Sequence, residues 1–536
     1  MVLRYTSDIL ILGTGGAGLR AAAEAHEKGA DVLLVSKSPA GYNNCTIVAG
    51  SGYLAAVGGM TVAEHKERTL SVGKGVNDPK LVEVLTEEGG RRVLELEKYG
   101  LVVNVRRGGI HVGDETTKLG QGITLPMVDY LRETGVEFVE NTIVTRLLKK
   151  DGRVVGAVGY QGDEKQPTIF QCKAVVLATG GAGALYKRTD CPIRTTGDGY
   201  SLAYHAGARL RDMEFVQFFP LALAEPGVPP LLVDGPVIEE GKIMNVLGED
   251  IPEKHGVTER PYIARSRDLL SRAMMLEIMK GGGVEGAVIV DGRDVVKRSK
   301  PGTFFGMGSY EFFVNKLQAH ERSFRVAPLS HHTMGGVVAN TWGETDVKGL
   351  FAAGEVVGGV HGANRHGGNA LTDVTVFGAR AAARAAEYAE KTSHVEAEEL
   401  AEEDLQYYEK LTGRETGYTP RSVMNVLKET MWEKVGVVRD SQMLVEAFEK
   451  IQELRDTTRR LMAQPGRQMI PALETPMALD AAELIVRAAM MRRESRGAHY
   501  RQDHPDQDPD WVKTVIISKK GSAMQLTTAP IGEAFE

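Results

Sequence analysis

The chain has 536 residues and a mass of 58.1 kDa. That length exceeds what one hydrophobic core usually organises and predicts about two to four domains. Hydrophobic residues make up 42% and charged residues 25%, which excludes a disordered, collagen-like or disulfide-scaffold chain. The net charge of −7 gives no general footprint for nucleic acid or for an anionic membrane surface, so we expect neither as a partner.

The first segment predicts a βαβ unit. Residues 8–12 form a short apolar strand, 13–18 a glycine-rich turn, 19–28 an alanine-rich helix and 31–35 a second strand. Further strands that run into glycine turns occur near residues 174–183 and 350–355. These junctions predict one parallel sheet assembled from distant parts of the chain.

The first turn carries a dinucleotide-binding fingerprint. Residues 13–18 match G-x-G-x-x-G between a strand and a helix, where backbone N–H groups and the positive helix end can bind a pyrophosphate. The expected contacts are Gly13, Gly15, Gly16, Ala17 and Gly18. The acidic ribose ligand of NAD sites is absent, because Ser36 and Lys37 follow the second strand. We therefore favour FAD, with Ser36 and Lys37 as ribose or phosphate contacts.

The later part of the chain changes composition twice. Residues 236–342 mix helices and strands and include the amphipathic stretch SRDLLSRAMMLEIMK, which suits a lid. After Thr392 the sequence becomes acidic and helical, and Pro420 opens a helical run that continues to about Gln464. From about Asp503 the chain is rich in Pro and Asp, and its run VKTVIIS is expected to pack back on the body as a strand.

Several motifs, spread over nearly the whole chain, carry a family resemblance. They are ATGGAG at 178–183, TGDGY at 196–200, MEFVQF at 213–218, SRDLLSRAM at 266–274, HHTMGG at 331–336, GEV at 354–356, HGANR at 361–365, GNAL at 368–371 and ESRGAHYRQD at 494–503. Together they resemble the flavoprotein subunit of succinate dehydrogenase and fumarate reductase. The same family includes L-aspartate oxidase and, more distantly, the flavin subunit of adenylylsulfate reductase.

The resemblance implies an extended FAD whose ring lies beneath a mobile capping domain. The further FAD contacts that it implies are Cys45, Thr46, Ala178, Thr179, Gly180, Asp198, Glu355, Asn369, Ala370 and Leu371. Asn369 to Leu371 would begin a helix behind the flavin, and the strongly helix-forming residues that follow support that interpretation independently. Asp198 is equally well explained as a turn residue.

Interconverting a saturated acid and its 2-enoate needs a hydride partner, a proton donor and fixed cations for a carboxylate. By resemblance, Arg267 is the proton-transferring residue, and His331 and Arg365 bind one carboxylate of the substrate. An arginine of such high pKa needs a nearby carboxylate that relays its proton, and Asp234 is the candidate.

The expected site for the second carboxylate departs from the family. The family pattern QFHPT is replaced by QFFPL at 217–221, and its Thr-Glu pair with a following arginine becomes Val233, Asp234 and Val237. With Phe219, Leu221, Val233 and Val237 in place of polar anchors, burying an unpaired carboxylate would cost several kcal/mol.

Two interpretations of this departure stay open. The enzyme acts on fumarate or succinate with polar contacts from His332 or His366, or it acts on an enoate whose far end is apolar. An L-aspartate oxidase-like enzyme and an electron-transfer subunit with a decayed substrate site are further alternatives.

The three cysteines are Cys45, Cys172 and Cys191, without C-x-x-C spacing, so we expect no metal centre in this chain. An iron–sulfur subunit is the expected partner. Cys45 stands where respiratory members of the family carry the histidine bound covalently to flavin. Noncovalent FAD is therefore expected, with a thioether to Cys45 as the alternative.

The predicted fold class is α/β. A Rossmann-like FAD-binding domain is expected at 1–235 and 343–392, an inserted α+β capping domain at 236–342, a helical domain at 393–502 and a C-terminal segment at 503–536. The apolar run near the N-terminus is too short for a membrane span. We expect a cytoplasmic chain that reaches a membrane only through partner subunits.

Overall fold

The structure is a computed structural model that describes residues 1–106, 108–114 and 119–535. Its strands are β1 Leu3–Leu12, β2 Val32–Val35, β3 Gly52–Leu54, β4 Val103–Arg106, β5 Gly109–Val112, β6 Glu137–Val139, β7 Thr142–Lys150, β8 Arg153–Gln161, β9 Gln166–Leu177, β10 Leu210–Arg211, β11 Val216–Leu223, β12 Lys242–Met244, β13 Val288–Asp291, β14 Phe304–Phe305, β15 Gly308–Ser309, β16 Phe324–Thr333, β17 Gly336–Val337, β18 Leu350–Ala352, β19 Thr514–Lys520 and β20 Ala523–Ala529.

The helices are α1 Gly16–Glu27, α2 Cys45–Val48, α3 Val62–Val72, α4 Pro79–Leu94, α5 Gln121–Glu133, α6 Asp198–Ala206, α7 Pro236–Glu239, α8 Ile251–Lys254, α9 Tyr262–Arg265, α10 Arg267–Glu277, α11 Arg293–Arg298, α12 Asn369–Glu390, α13 Glu402–Thr412, α14 Pro420–Lys434, α15 Ser441–Thr458 and α16 Met469–Met491. Shorter 3-10 turns include Gly183–Leu185 and Gly354–Val356.

A seven-stranded sheet organises the first unit, with the order β6-β2-β1-β9-β8-β7 and with β18 paired to β9. Strands β6, β2, β1, β9 and β18 run parallel, although they come from residues 3 to 352. Successive residues of β1 alternate between two cores: Ile9 and Ile11 pack with α1 and α12, whereas Leu10 and Leu12 face the opposite layer. The predicted α/β class and the parallel sheet built from distant segments are confirmed.

A four-stranded sheet, in the order β11-β16-β13-β12, forms the centre of the capping unit. Helix α10 packs against β11 and β16. Phe219, Leu221 and Val233 belong to the hydrophobic core of this unit. The predicted boundary at 235/236 therefore lies inside the capping unit, because the pairing of β11 with β16 makes β11 part of its sheet.

Helices α13 to α16 follow the first unit in sequence and share its larger hydrophobic core. Helix α16 packs on α6, α14, α15 and β7. The terminal hairpin β19–β20 joins β10, so the VKTVIIS run returns to the body as a strand. Among the described residues, no helix is long and apolar enough to cross a membrane.

A buried ion cluster ties the end of α16 to the C-terminal segment. The side chain of Arg492 is fully buried, and it donates to Glu214 at 2.5 Å and to Glu494 at 3.0 Å. It also donates to the carbonyls of Trp511 and Lys513. Burial raises the pKa of Glu214 to about 7, although Arg492 opposes that shift. Glu214 depends on this guanidinium for its ion pair, whereas Glu494 also accepts hydrogen bonds from Arg496.

We expect Arg492→Ala to destabilise the protein by about 3–5 kcal/mol, since it leaves the buried carboxylate of Glu214 unpaired. The measurement is the urea midpoint followed by tryptophan fluorescence. Arg293→Ala is the matched control, because the exposed pair of Arg293 with Asp291 contributes about 0–1 kcal/mol. Equal midpoints for the two variants would contradict the prediction.

Candidate active site

The glycine turn after β1 brings two strands and a helix into very close contact. Gly13 has a φ of +113°, and a Cβ added there would lie 2.3 Å from the carbonyl oxygen of Ala178. A Cβ on Gly18 would lie 1.9 Å from the oxygen of Gly13. Only glycine fits both positions, which explains their places in the fingerprint.

The amino-terminal end of α1 faces the cleft formed by this turn. The N-cap residue is Gly15, and the first turn of α1 carries no acidic residue. Among the described residues, α1 has no side-chain hydrogen bond from its N-cap. Gly16 N–H donates to Thr46 Oγ1 at 3.0 Å, so Thr46 fixes the turn against α2. A helix end of this kind favours an anionic group such as a pyrophosphate.

Lys37 and Asp198 lie in the cleft but bind each other. Lys37 Nζ donates to Asp198 at 3.1 Å, to Glu474 at 2.6 Å and to the carbonyl of Arg194 at 2.7 Å. Burial acts to lower the pKa of Lys37, but the two carboxylates outweigh it and raise that pKa above its ordinary value. Glu474 belongs to α16, so the helical region completes this side of the cleft.

The cleft collects most of the predicted cofactor residues. Those that line it are Gly13, Gly15, Gly16, Ala17, Ser36, Lys37, Cys45, Thr46, Ala178, Thr179, Gly180, Asp198 and Glu355. Gly18 lies directly beneath the turn. Ala370 and Leu371 line the adjoining cavity instead.

Asn369 departs from the expected arrangement. It begins α12 as predicted, but its side chain is fully buried, donates to Thr69 Oγ1 and contacts His65 Nε2, both at 2.9 Å. The amide therefore holds α12 against α3 and does not line the cleft or the cavity. The Asn369 side chain is therefore not placed to contact a flavin directly.

A cavity of about 420 Å³ continues from the cleft and lies beneath the capping unit. Cys45, Thr46, Glu355 and Val374 line both spaces, so an extended ligand can run from the glycine turn into the cavity. The glycine cradle, the open helix end and this continuity fit an extended dinucleotide such as FAD. Burial raises the pKa of Glu355 to about 7.

His331 and Arg365 meet in the cavity, as the resemblance predicts for a carboxylate site. Arg365 Nη2 donates to His331 Nε2 at 2.9 Å, and His331 Nδ1 lies 2.7 Å from Asp190 Oδ2. Burial lowers the pKa of Arg365 and that of His331. Among the described residues, no carboxylate lies within 4 Å of the Arg365 guanidinium.

Arg267 opens helix α10 and points into the same cavity. Its Nη1 donates to Gln217 Oε1 at 2.9 Å, and its guanidinium lies 5.0 Å from the ring centre of Phe219. Burial lowers the pKa of Arg267 to about 9, and repulsion from Arg365 adds to that shift. Gln217 also donates to Asn364 and to the carbonyl of Arg365, so one amide fixes both arginine segments.

Asp234 lines the cavity, but none of the ion pairs between described residues joins it to Arg267. Its carboxylate accepts the N–H of Gly235 at 2.6 Å. Burial raises the pKa of Asp234, and Arg267 opposes that shift. The two side chains thus share a cavity without a direct hydrogen bond or ion pair between them, and the relay role of Asp234 stays a prediction.

The apolar substitutions have different locations. Phe219 lines the cavity, whereas Leu221, Val233 and Val237 are fully buried in the core of the capping unit. The expectation that these three form the wall against a second carboxylate is therefore wrong. The apolar side chains beside Phe219 in the cavity are instead Leu232, Ile263 and Met307.

Of the two histidines considered as substitute polar contacts, His332 lines the cavity and His366 does not. His332 Nε2 is buried and has no hydrogen-bond partner among the described residues. His366 instead contacts the carbonyl of Gly367 through Nδ1 at 2.8 Å.

Sequence reasoning missed Asp190, Gln217 and Glu474. Asp190 lies between two recognisable motifs and belongs to neither. Gln217 lies within a quoted motif, but its role depends on segments about 50 and 150 residues away. Glu474 carries the clearest signal, because it is a single acid in the apolar run PALETPMAL, where a buried charge needs a partner.

The fold and the joined cleft and cavity define a flavoprotein oxidoreductase whose FAD-binding domain lies beneath a capping unit. A family model described as FAD binding domain matches residues 8–371, and one described as Fumarate reductase flavoprotein C-term matches residues 424–533. A fumarate reductase (CoM/CoB) subunit of Methanothermobacter marburgensis is 35% identical, over 96% of this chain and 98% of its own.

An L-aspartate oxidase of Saccharolobus solfataricus is 32% identical, over 93% of this chain and 96% of its own. The solved structure of Mycobacterium smegmatis Sdh1 in complex with UQ1 has a TM-score of 0.87 and 29% identity, covering 99% of this chain and 95% of its own. The chain belongs to the family of succinate dehydrogenase and fumarate reductase flavoprotein subunits and is an FAD-dependent oxidoreductase.

We expect Gly18→Ala to reduce the flavin content of the purified protein. The added methyl group would overlap the Gly13 carbonyl, and overpacking of this kind costs about 1–3 kcal/mol. Flavin absorbance per chain is the measurement. Gly413→Ala is the control, because its Cβ meets the nearest atom at 3.4 Å in a distant helix end. Full flavin content in Gly18→Ala would refute the close-approach argument.

Proposed function

We propose that the protein interconverts a saturated carboxylic acid and its 2-enoate, of the succinate and fumarate type, as the catalytic flavoprotein subunit of a larger electron-transfer complex. The observation that carries the proposal is the pair of buried guanidinium groups, Arg267 and Arg365, in the cavity that continues the FAD cleft. A carboxylate is a ligand that both guanidinium groups can bind there through charge-assisted hydrogen bonds.

Four polar side chains in or beside the cavity have a proposed task. FAD, when bound, supplies the two-electron carrier that desaturation or reduction of a carbon–carbon bond requires. Arg365 and His331 hold one substrate carboxylate beside it. Arg267 exchanges a proton with the adjacent substrate carbon, which a pKa lowered to about 9 makes easier than for an ordinary arginine. Gln217 holds the Arg267 side chain in a fixed position relative to the segment that carries Arg365.

Two features of the cavity bear on the substrate. His332 offers an unpartnered buried nitrogen, which favours a C4 dicarboxylate with a second polar group. Phe219, Leu232 and Met307 favour the second candidate, an enoate with an apolar far end. We take fumarate and succinate as the first candidates, because His332 supplies the polar contact that the altered residues no longer give.

The deciding experiment adds substrates to the chemically reduced holoenzyme without oxygen and follows flavin reoxidation. Rapid reoxidation by fumarate supports the first candidate, and reoxidation by crotonate alone supports the apolar enoate. Peroxide formed from L-aspartate in air would favour an oxidase. Failure of every acceptor would favour an electron-transfer subunit with a decayed site.

We expect Arg267→Gln to lower fumarate-dependent turnover by at least about 100-fold, since proton transfer by a positioned side chain contributes about that much. Flavin content should stay unchanged, because Arg267 does not line the FAD cleft. Arg272→Gln is the matched control on the same helix, as its guanidinium stacks on Tyr500 at 4.6 Å. Turnover of Arg267→Gln within a few fold of wild type would exclude the assigned role.

The electron partner is proposed to be an iron–sulfur subunit. With three cysteines and no C-x-x-C spacing, this chain offers poor ligands for a cluster of its own. We place the protein in the cytoplasm, in contact with a membrane only through such partners. Affinity purification from the native cell, followed by identification of the copurifying chains, tests this; recovery of the flavoprotein alone as active enzyme opposes it.

We expect the flavin to be released into the supernatant when the holoenzyme is precipitated with acid, because no histidine occupies position 45. The Cys45 thiol lies 3.9 Å from Thr195 Oγ1. Absorbance of the supernatant and of the pellet is the measurement, with Cys45→Ser in parallel. Flavin that stays in the wild-type pellet and leaves the Cys45→Ser pellet would establish a thioether.

A further inference from the structure

A carboxylate that no motif includes faces the substrate-binding histidine. Asp190 lines the cavity and contacts His331 Nδ1 at 2.7 Å through Oδ2. Its backbone is held to the same strand as His331: Asp190 N–H and Thr189 Oγ1 both donate to the carbonyl of Ser330. Asp190 and His331 therefore keep their relative positions as one unit.

The hydrogen bonds fix which nitrogen of His331 carries the proton. Arg365 can only donate, so His331 Nε2 accepts its hydrogen at 2.9 Å. The single proton of the neutral ring therefore lies on Nδ1 and is donated to Asp190. In this state His331 has no hydrogen left for a substrate carboxylate.

We infer that Asp190 is a positioning residue that lets His331 take up a proton when a carboxylate enters the cavity, so that Nε2–H and Arg365 both donate to that ligand. The inference rests on the proposed function in one respect, namely that the ligand is a carboxylate.

The physical reason is a conflict between acceptors. A carboxylate that binds Arg365 comes to face His331 Nε2, and two lone-pair acceptors repel each other. One proton from solvent on Nε2 turns this contact into a charge-assisted hydrogen bond. The resulting imidazolium lies between two carboxylates, Asp190 on Nδ1 and the ligand on Nε2, and the Asp190 charge offsets part of its burial.

Among the described residues, charged or titratable groups from several elements face His331. They include Asp190 from the loop after the 183–185 turn, Arg365 from the loop before α12, Arg267 from α10 and His332 from the same strand. Phe219 of β11 adds an apolar ring 5.6 Å from the imidazole. Burial and the two guanidinium groups lower the pKa of His331, while Asp190 raises it.

A bound carboxylate adds a second negative neighbour and raises the pKa of His331 in the complex. The affinity for the carboxylate is then highest at low pH and falls as the pH rises through the pKa of the complex. Between the pKa of the free protein and that of the complex, binding takes up one proton, and the affinity changes about tenfold per pH unit.

Isothermal titration of the oxidised holoenzyme measures this proton directly. Fumarate and crotonate are titrated separately, each in two buffers of widely different ionisation enthalpy, at pH 6, 7 and 8. The difference in binding heat between the buffers gives the protons taken up per ligand. In the wild type we expect uptake approaching one proton at some pH in this range.

Asp190→Asn is the decisive variant, because its amide oxygen can still accept the Nδ1 hydrogen but carries no charge. We expect proton uptake to fall close to zero and the affinity to lose most of its pH dependence. Asp190→Glu should restore part of the uptake. Asp268→Asn is the matched control, since it removes a carboxylate beside Arg267 that does not line the cavity.

The outcomes separate this inference from the proposed function. Carboxylate binding without proton uptake, or unchanged uptake in Asp190→Asn, would overturn the role of Asp190 and leave the function standing. Crotonate binding with uptake, without fumarate binding, would support Asp190 and reject a C4 dicarboxylate substrate. Failure of both ligands to bind would reject both ideas.

Discussion

Two guanidinium groups, Arg267 and Arg365, share one buried cavity. The contacts around them offset the cost of burying two positive charges close together. Among the described residues, no carboxylate pairs directly with either group. A glutamine amide, an aromatic ring, a histidine and backbone carbonyls contact them directly, while carboxylates of the same cavity act on them from a greater distance. A carboxylate ligand can therefore form the direct charge-assisted hydrogen bonds that these groups lack.

The fold delivers these groups from separate places. The carboxyl ends of parallel strands and the start of α1 form the cleft that fits a dinucleotide, as expected for an α/β sheet. Arg365 comes from the loop before α12, whereas Arg267 comes from the capping unit, and Gln217 binds both segments. The cavity is therefore complete only when both units contribute their side chains.

Motifs with a strong backbone requirement could be predicted from the sequence, and contacts between distant segments could not. The glycine fingerprint works because Gly13 and Gly18 leave no room for a side chain. Asn369 begins its helix as predicted, yet its amide contacts Thr69, 300 positions away. Phe219 and Leu221 look equivalent in sequence, but β11 shifts register between Phe219 and Ala222, and only Phe219 lines the cavity.

Strand β11 belongs to the sheet of the capping unit although it precedes residue 236 in the chain. The capping unit is not a contiguous insertion between 236 and 342, because β11 supplies its sheet with a strand from before that range. A chain shortened by removing 236–342 would keep β11 and lose its partner β16. The run VQFFPLAL would become an uncovered apolar edge, which is a template for aggregation. A soluble FAD-binding domain therefore requires a cut before Val216.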